Sequence, residues 1–237
     1  VWGQESKVRS LAFIKMQVDG TWKDFLLTIS AANNPDNSDI DKNKVLLTDV
    51  ETGLPVWQGR DIKGTQVEAS PSGNLIISTD ANGRAKIWKR AGDTLTFEKH
   101  GDLVEAHPAD DGSYIADIYV INDRYFVTAG LDKRLKLFRI TDEGAELVQS
   151  EKFDNEYQGK VRNLDYDPYN GILAVASGQE LSLWKFDQTA GKLTPLGPEG
   201  QSVFQPFTRH DHTAAIQGVS FSKPAFLLDE DGQYLGD

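Results

Sequence analysis

The chain has 237 residues, of which 25 are Lys or Arg and 36 are Asp or Glu, so its formal net charge at pH 7 is -11. It contains no cysteine, which excludes disulfides, zinc–thiolate sites, iron–sulfur clusters and cysteine nucleophiles. So acidic a surface argues against nucleic acid as a direct partner, and no apolar run is long enough to cross a membrane. Without a basic and then apolar signal segment, we expect a cytoplasmic protein, or a nuclear one in a eukaryote.

The predicted strands repeat in chain order. A first, alternating strand is predicted at residues 8–13, 64–69, 115–120, 161–166 and 216–221. A second strand, interpreted as a fully buried central one, follows at 25–29, 75–78, 125–128 and 172–175, and a third at 44–49, 85–89, 135–139 and 181–185. A fourth is predicted at 54–57, 95–98 and 146–149.

The period of this repeat identifies the architecture. Thr48, Trp88, Phe138 and Trp184 occupy equivalent positions, and they are separated by roughly 40–50 residues, the length of one propeller blade. No segment shows a sustained helical period. The sequence therefore predicts an all-β fold, a β-propeller of four-stranded antiparallel blades.

At these positions the chain resembles the WD-repeat β-propeller family. Residues 67–73, 75–80 and 86–89 resemble the first three strands of a family blade, and residues 47–53 resemble a third strand with its exit turn. The family's Trp-Asp dipeptide is absent, Thr48 and Phe138 replace the tryptophan, and the blade-opening Gly-His pair is missing, with only His107 and His212 near suitable places. The resemblance implies a partial side-chain network, carried by Asp80 with Trp88, or by Asp132 with Thr128.

The repeat divides the chain into four whole blades and partial blades at both ends. We expect blades at about 8–60, 61–106, 107–156 and 157–206, with a partial blade formed by 210–237 together with 1–5, in which Trp2 aligns with Trp57. Two interpretations stay open: a five-bladed ring closed by its termini, or an excerpt of a larger propeller or multidomain chain. The absent initial Met and the abrupt end favour the excerpt.

Few side chains suggest catalytic or metal chemistry. His210 and His212 share one face if they lie in a strand, but a polar loop before residue 216 is the favoured interpretation. Asp39, Asp41 and Asn43 match the opening of a calcium loop, yet Lys44 and Val50 stand where that loop needs Gly and Glu, so an ordinary long loop is favoured. We expect no metal, no cofactor and no catalytic residues.

Candidate binding residues come from the rim on which the first strands begin. Lys7 and Arg9 match Lys160 and Arg162 in position, and both arginines are expected to face the mouth of the propeller. They could grip an anionic partner segment or neutralise nearby carboxylates. Trp22 is added to the rim as an exposed aromatic and possible hot spot.

The resemblance implies a non-catalytic scaffold that binds a peptide or partner domain on its rim, as part of a multiprotein complex or multidomain chain. Because one fold serves many functions, two alternatives stay open. One is an enzyme with a metal bound in the channel by carboxylates such as Asp117 and Asp165. The other is a ligand-sensing domain that regulates a fused effector.

Overall fold

The computed structural model describes residues 7–31, 44–60, 64–107, 114–154, 159–196 and 214–221. In these ranges the regular structure consists of β-strands, numbered β1 to β17, in four antiparallel sheets, and no helix occurs there. It follows that none of the described segments is a helix that could span a bilayer. The expected all-β class with antiparallel blades is confirmed.

Each sheet is a meander of consecutive strands, which we call blades 1 to 4. Blade 1 contains β1 (Lys7–Val18), β2 (Thr21–Ala31), β3 (Val45–Asp49) and β4 (Pro55–Gly59). Blade 2 contains β5 (Gly64–Ala69), β6 (Leu75–Asp80), β7 (Arg84–Arg90), β8 (Phe97–Lys99) and β9 (Val104–Glu105). Blade 3 contains β10 (Ile115–Asn122), β11 (Tyr125–Gly130), β12 (Arg134–Ile140) and β13 (Ala145–Lys152). Blade 4 contains β14 (Val161–Asp167), β15 (Ile172–Ser177), β16 (Glu180–Asp187) and β17 (Lys192–Leu196). The predicted blade limits and the single-domain organisation stay predictions.

Blade 2 departs from the expected four strands because its outer strand is split. Both β8 and β9 pair with β7, so the sheet has five strands. Between them Gly101 has a φ of 68°, and a Cβ built on it would lie 2.3 Å from the carbonyl oxygen of Glu143 in blade 3. The chain breaks the strand here because it packs against the neighbouring blade.

The hydrophobic core lies between the blades rather than inside one of them. Strand β6 is buried along its whole length because its two faces serve two neighbours. Ile76 packs into the cluster shared with blade 1, whereas Leu75 and Ile77 pack into the cluster shared with blade 3. A strand covered on both faces needs apolar side chains on both of them, which explains the consecutive apolar residues 75–77 of β6.

The inner strands β1, β5, β10 and β14 pack side by side in chain order, and side chains of one blade bind the backbone of the next. At the inner strands, the Gln66 amide donates to the carbonyl oxygen of Ala116, and Asp117 accepts from the amide of Leu164. At the outer strands, the Trp57 indole donates to the carbonyl oxygen of Phe97. Blades that share no sheet are thus joined by hydrogen bonds as well as by packing.

Residues 216–221, predicted as a fifth first strand, lie against β14 without ladder pairing. The amides of Val219 and Phe221 donate to the side chains of Asn163 and Asp165. The amide of Ile216 donates to the carbonyl oxygen of Gly178. This segment therefore occupies the side of blade 4 that faces away from blade 3.

Blade 1 has one buried and one open face. Ala12, Ile14 and Met16 pack against blade 2. Leu11 and Phe13, which alternate with them and so point to the other face, are 58% and 73% exposed. In a propeller this face is where a preceding blade would pack.

Candidate functional site

The upper rim is defined here as the end of the blades at which the inner strands begin. Lys7 and Arg9 lie at the start of β1, and Arg162 lies at the start of β14, two positions after Lys160. The side chains of Lys7, Arg9 and Lys160 are exposed, and Arg162 is half-buried. The structure thus places all four predicted cations at the same end of their blades.

Both arginines occupy the extra residue of a β-bulge. In blade 1 the register passes from Val8 opposite Ser30 to Ser10 opposite Ile29, which leaves Arg9 without a partner residue on β2. In blade 4 the same shift leaves Arg162 unpaired between Val161 and Asn163. Blades 2 and 3 have irregularities at the matching place. Because both bulges lie at the same place of the repeat, the two guanidinium groups are positioned in the same way. Bulges change the direction of side chains and are frequent next to functional sites.

The four cations have no anionic partner among the described residues, whereas Arg84 and Lys133 at the same end do. Arg84 forms an ion pair with Asp80 at 2.6 Å, and Lys133 lies 3.6 Å from Asp154. The Lys136 ammonium donates to the carbonyl oxygen of Ala106. Arg9 and Arg162 form no such pair within these ranges, so the neutralising role considered for them has no support there.

The two cationic pairs do not merge into one patch. Strand β1 packs on β5, and β14 packs on β10, so blades 2 and 3 stand between them along the ring. At this end, between the two pairs, the hydroxyls of Thr65 and Thr79 are hydrogen-bonded at 2.8 Å. A ligand that contacts both pairs must therefore reach from blade 1 to blade 4.

Trp22 does not belong to this rim, which corrects the sequence-based assignment. It is exposed to 50%, as expected for a turn aromatic, but it pairs with Gln17 at the far end of the β1–β2 hairpin. Eight residues separate Gln17 from Arg9, about 25 Å along an extended strand. The sequence-based assignment placed both ends of the β1–β2 hairpin on one surface, but the hairpin is too long for its two ends to lie on the same rim.

His107 is the centre of a polar network in blade 3. The ring is fully buried, with Nδ1 at 2.8 Å from Asp132 Oδ1 and Nε2 at 2.8 Å from Thr128 Oγ1. Burial raises the pKa of Asp132, but the hydrogen bond and charge of His107 lower it, and the net pKa lies below its usual value. Asp132 and Thr128, which the sequence grouped together, are thus linked through His107, which connects blades 2 and 3.

Two glycines make room for this histidine. A Cβ on Gly130 would lie 2.1 Å from His107 Nδ1, and a Cβ on Gly83 would lie 1.5 Å from the His107 carbonyl oxygen. The carbonyl of Gly83 also accepts hydrogen bonds from the amides of Ala106 and His107. The connection between the blades is therefore held by backbone contacts that side chains would block.

Asp80 and Trp88 do not form the pair that the sequence suggested. Asp80 accepts hydrogen bonds from the amides of Asn82 and Arg84 and binds the Arg84 guanidinium, so its carboxylate is used within its own turn. The Trp88 indole donates instead to Ser78 at 2.9 Å. Asp80 lies two residues after Ser78, whereas in blade 3 Asp132 lies four residues after Thr128, and this offset places the two carboxylates differently.

The third-strand aromatics of blades 3 and 4 are satisfied in other ways. The Trp184 indole donates to Ser182, two residues earlier on the same strand. Phe138, which has no donor, stacks on Phe126 with ring centroids 5.0 Å apart. Trp88, Phe138 and Trp184 are thus buried with local partners and are structural, whereas Thr48 at the equivalent position of blade 1 is half-buried.

Two carboxylates on the inner strands already have hydrogen-bond partners. Asp117 accepts from the amides of Ile118 and Leu164 and from the Asn163 side chain. Asp165 accepts from the amides of Tyr166 and Phe221. Burial is the main cause that raises the pKa of Asp117 to about 6. These contacts use the carboxylates that a channel metal would need, and no cluster of three metal-binding side chains occurs in the described ranges.

Sequence reasoning missed the residues that join the blades. Gln66, Asp117 and Asn163 occupy the same position of their inner strands, and all three bind the next inner strand or the segment beside it. Aligning the repeats by their bulges would have shown a polar side chain recurring there. The residues singled out in the sequence at Trp2, Asp39, Asp41, Asn43, His210 and His212 lie outside the described residues.

Comparisons with known proteins support the same architecture. Residues 60–89, most of blade 2, match the family model "WD domain, G-beta repeat". None of the curated proteins matches the chain. Among 956 matching solved chains is the crystal structure of a functionally unknown protein from Desulfotomaculum acetoxidans DSM 771, with a TM-score of 0.61 and 13% identity. The match covers 84% of this chain and 57% of that one, so this chain spans just over half of its length. At this identity the likeness shows the fold alone.

Proposed function

Because the second blade matches the WD domain repeat and the sheets are propeller blades, we propose that the chain is a non-catalytic protein-interaction module. It holds a protein or peptide partner on its upper rim and acts as part of a larger assembly. The WD-repeat resemblance supports the general scaffold role. The position and the partner chemistry are proposed from the rim itself.

The paired basic side chains carry the proposal. Arg9 and Arg162 are the bulged residues of equivalent strands, each follows a lysine by two positions, and neither has an anionic partner among the described residues. Charges that stabilise a fold usually find an intramolecular partner, as Arg84 does with Asp80. Guanidinium groups left exposed can bind carboxylates in bidentate fashion, so the partner surface is expected to be acidic.

The spacing of the two pairs favours a macromolecule over a small anion. Blades 2 and 3 lie between Arg9 and Arg162 along the row of inner strands, so a partner with anionic groups at two places fits this arrangement better than a single phosphate or carboxylate. An extended acidic segment, or a domain surface with two acidic patches, can contact both at once. Two weak contacts made by one partner also reinforce each other through effective concentration.

The test uses charge reversal at the two bulges. Tagged chains of the wild type and of Arg9→Glu with Arg162→Glu are used as baits, and bound proteins are quantified by mass spectrometry. The partners themselves are then titrated against purified bait. We expect at least a ~10-fold loss of affinity, with a salt dependence that is weaker than in the wild type.

The matched control is Lys23→Glu with Lys192→Glu, which changes the net charge equally, since both are exposed lysines away from the rim. It should leave both the bound proteins and their affinities unchanged. Equal binding by the rim variant and the wild type, with both chains folded, would refute the rim as the binding surface.

The non-catalytic part of the proposal has its own test. Asp117 and Asp165 already accept backbone hydrogen bonds, which supports a structural role for them. Elemental analysis of the purified protein should show no stoichiometric divalent metal. A bound metal that is lost in Asp117→Asn would instead support the channel enzyme considered from the sequence.

A further inference from the structure

A groove runs along the outer wall between blades 2 and 3, and none of the rim residues takes part in it. It has a volume of about 340 Å³ and is lined by the chain before and within β9 and by the β12–β13 turn. Val104, Phe138 and Ala145 form its apolar base, and all three pack on the core shared by the two blades. Leu147 stands at its edge with 52% of its surface exposed.

The groove is fixed by direct contacts between the two blades. His100 Nε2 lies 2.7 Å from the Thr141 carbonyl oxygen, which ties the outer chain of blade 2 to the turn of blade 3. Gly101 and Gly144 meet next to this bond, and a Cβ on Gly101 would lie 2.5 Å from the Gly144 Cα. The hydrogen bond and this close backbone packing hold the two turns together, so the groove is formed before any ligand arrives.

Acidic side chains surround this apolar base. Asp102 and Glu105 contribute from blade 2, and Glu143 contributes from blade 3. A second hollow of about 520 Å³ continues along the same turn and adds Asp142 and Glu146. The surroundings are therefore strongly negative.

Few cations compensate this charge. Arg139 pairs with Glu146, and Lys99 lies 3.5 Å from Asp102, but that pair is exposed to solvent and weak. Asp142 and Glu143 form no ion pair within the described part of the chain. Their charge is thus available to a ligand.

We propose that this groove binds a basic peptide segment that carries an aliphatic side chain. The aliphatic group would cover Leu147 and Val104, and flanking Lys or Arg side chains would face Asp142 and Glu143. Charge complementarity favours this occupant, because the acidic residues around the apolar base would attract a basic segment and repel an acidic one. The site is independent of the upper rim and has the opposite charge.

The groove is tested with a fluorescent peptide of sequence Lys-Arg-Leu-Val-Arg-Lys, titrated with the full chain and followed by anisotropy. A peptide with Ser-Ser in place of Leu-Val and a peptide with Glu in place of every base are the comparison probes. The first peptide should bind at least ~10-fold more tightly than either. Amide chemical-shift changes should cluster at residues 101–105 and 141–147.

Variants of the protein locate the binding. Asp142→Lys with Glu143→Lys should weaken the Leu-Val peptide at least ~10-fold, and Leu147→Ser should weaken it several-fold. The matched control is Glu51→Lys with Asp93→Lys, which changes the net charge equally in exposed turns elsewhere and should leave binding within twofold.

Three results would overturn the proposal. One is an equal loss of binding in the control variant, which would indicate attraction by net charge alone. Another is equal binding of the Ser-Ser peptide, which would remove the apolar contact. The third is no binding of the Leu-Val peptide at millimolar concentration.

Discussion

Single polar residues decide how neighbouring blades meet. His107 belongs to the connection between blades 2 and 3, yet its ring binds Thr128 and Asp132 of blade 3 and its backbone binds Gly83 of blade 2. A buried imidazole with both nitrogens bonded has no unsatisfied group, so its burial is favourable only in this arrangement. The residue therefore acts as a fixed point between two sheets that share no strand pairing.

Asp117 gives a residue-scale prediction about pH. Its pKa in the folded chain is raised to about 6, mainly by burial, above the usual value near 3.8. The folded state then binds this proton more tightly than the unfolded state, so the contribution to stability is complete below about pH 4 and is lost as the pH rises to about 6. Relative to the wild type, Asp117→Asn should gain about 2–3 kcal/mol in unfolding free energy between pH 4 and pH 7.5.

Urea unfolding at several pH values measures this difference. The test is how the difference in unfolding free energy changes with pH, because the substitution also alters the hydrogen bond to the Ile118 amide at every pH. Asp93→Asn, in an exposed turn, should show no comparable change. A pH-independent difference for Asp117→Asn would show that this carboxyl is not desolvated in the folded chain.

Outer strands rely on side chains for their contacts with the next blade. Gln149 on β13 binds the backbone of Leu193 on β17 twice, since its amide donates to the Leu193 carbonyl and its oxygen accepts from the Leu193 amide, both at 2.9 Å. The side chain thus provides the pair of bonds that a neighbouring strand would make. Trp57 and His100 have similar roles at the other two junctions.

Removing this contact should loosen blade 4. Gln149→Leu leaves the amide and carbonyl of Leu193 without partners in a partly buried place, which should cost about 1–3 kcal/mol of unfolding free energy. Hydrogen exchange at the Leu193 amide should accelerate more than exchange inside β15. Gln17→Leu, at an exposed glutamine of the β1–β2 hairpin, should cost less than about 0.5 kcal/mol. Similar values for the two variants would contradict the role of Gln149.

At the scale of the whole molecule, the blades bury their apolar faces against each other, whereas one face of blade 1 stays exposed among the described residues. Leu11 and Phe13 are as apolar as the residues that fill the other interfaces, but most of their surface is exposed. Contiguous exposed apolar surface is uncommon in monomeric proteins and marks a place of contact.

The open face predicts that Phe13 contributes little to the stability of this chain. Phe13→Ser should change the unfolding free energy by less than about 0.5 kcal/mol, because the ring is 73% exposed. Binding of an apolar dye should fall at the same time. Phe25→Ser, at a fully buried ring of the opposite face, should destabilise by several kcal/mol. A comparable loss for Phe13→Ser would show that this face is covered in solution.

The sequence by itself determined the repeat, the all-β class and the strand order. These follow from alternation and from apolar runs, which are local patterns that hold wherever a strand is half or fully covered. It also located Lys7, Arg9, Lys160 and Arg162 at strand starts, since a repeat carries equivalent residues to equivalent ends of the blades.

Only the tertiary structure decided which side chains meet. Trp22 does not lie on the rim because a long hairpin separates it from Arg9. Asp80 binds Arg84 rather than Trp88 because it lies two residues after Ser78 and not four. His107, Gln149 and the groove at Leu147 depend on contacts between residues about 20 to 45 positions apart in the chain. Periodicity reports whether a residue is covered, whereas the identity of its partner depends on how whole blades are placed against each other.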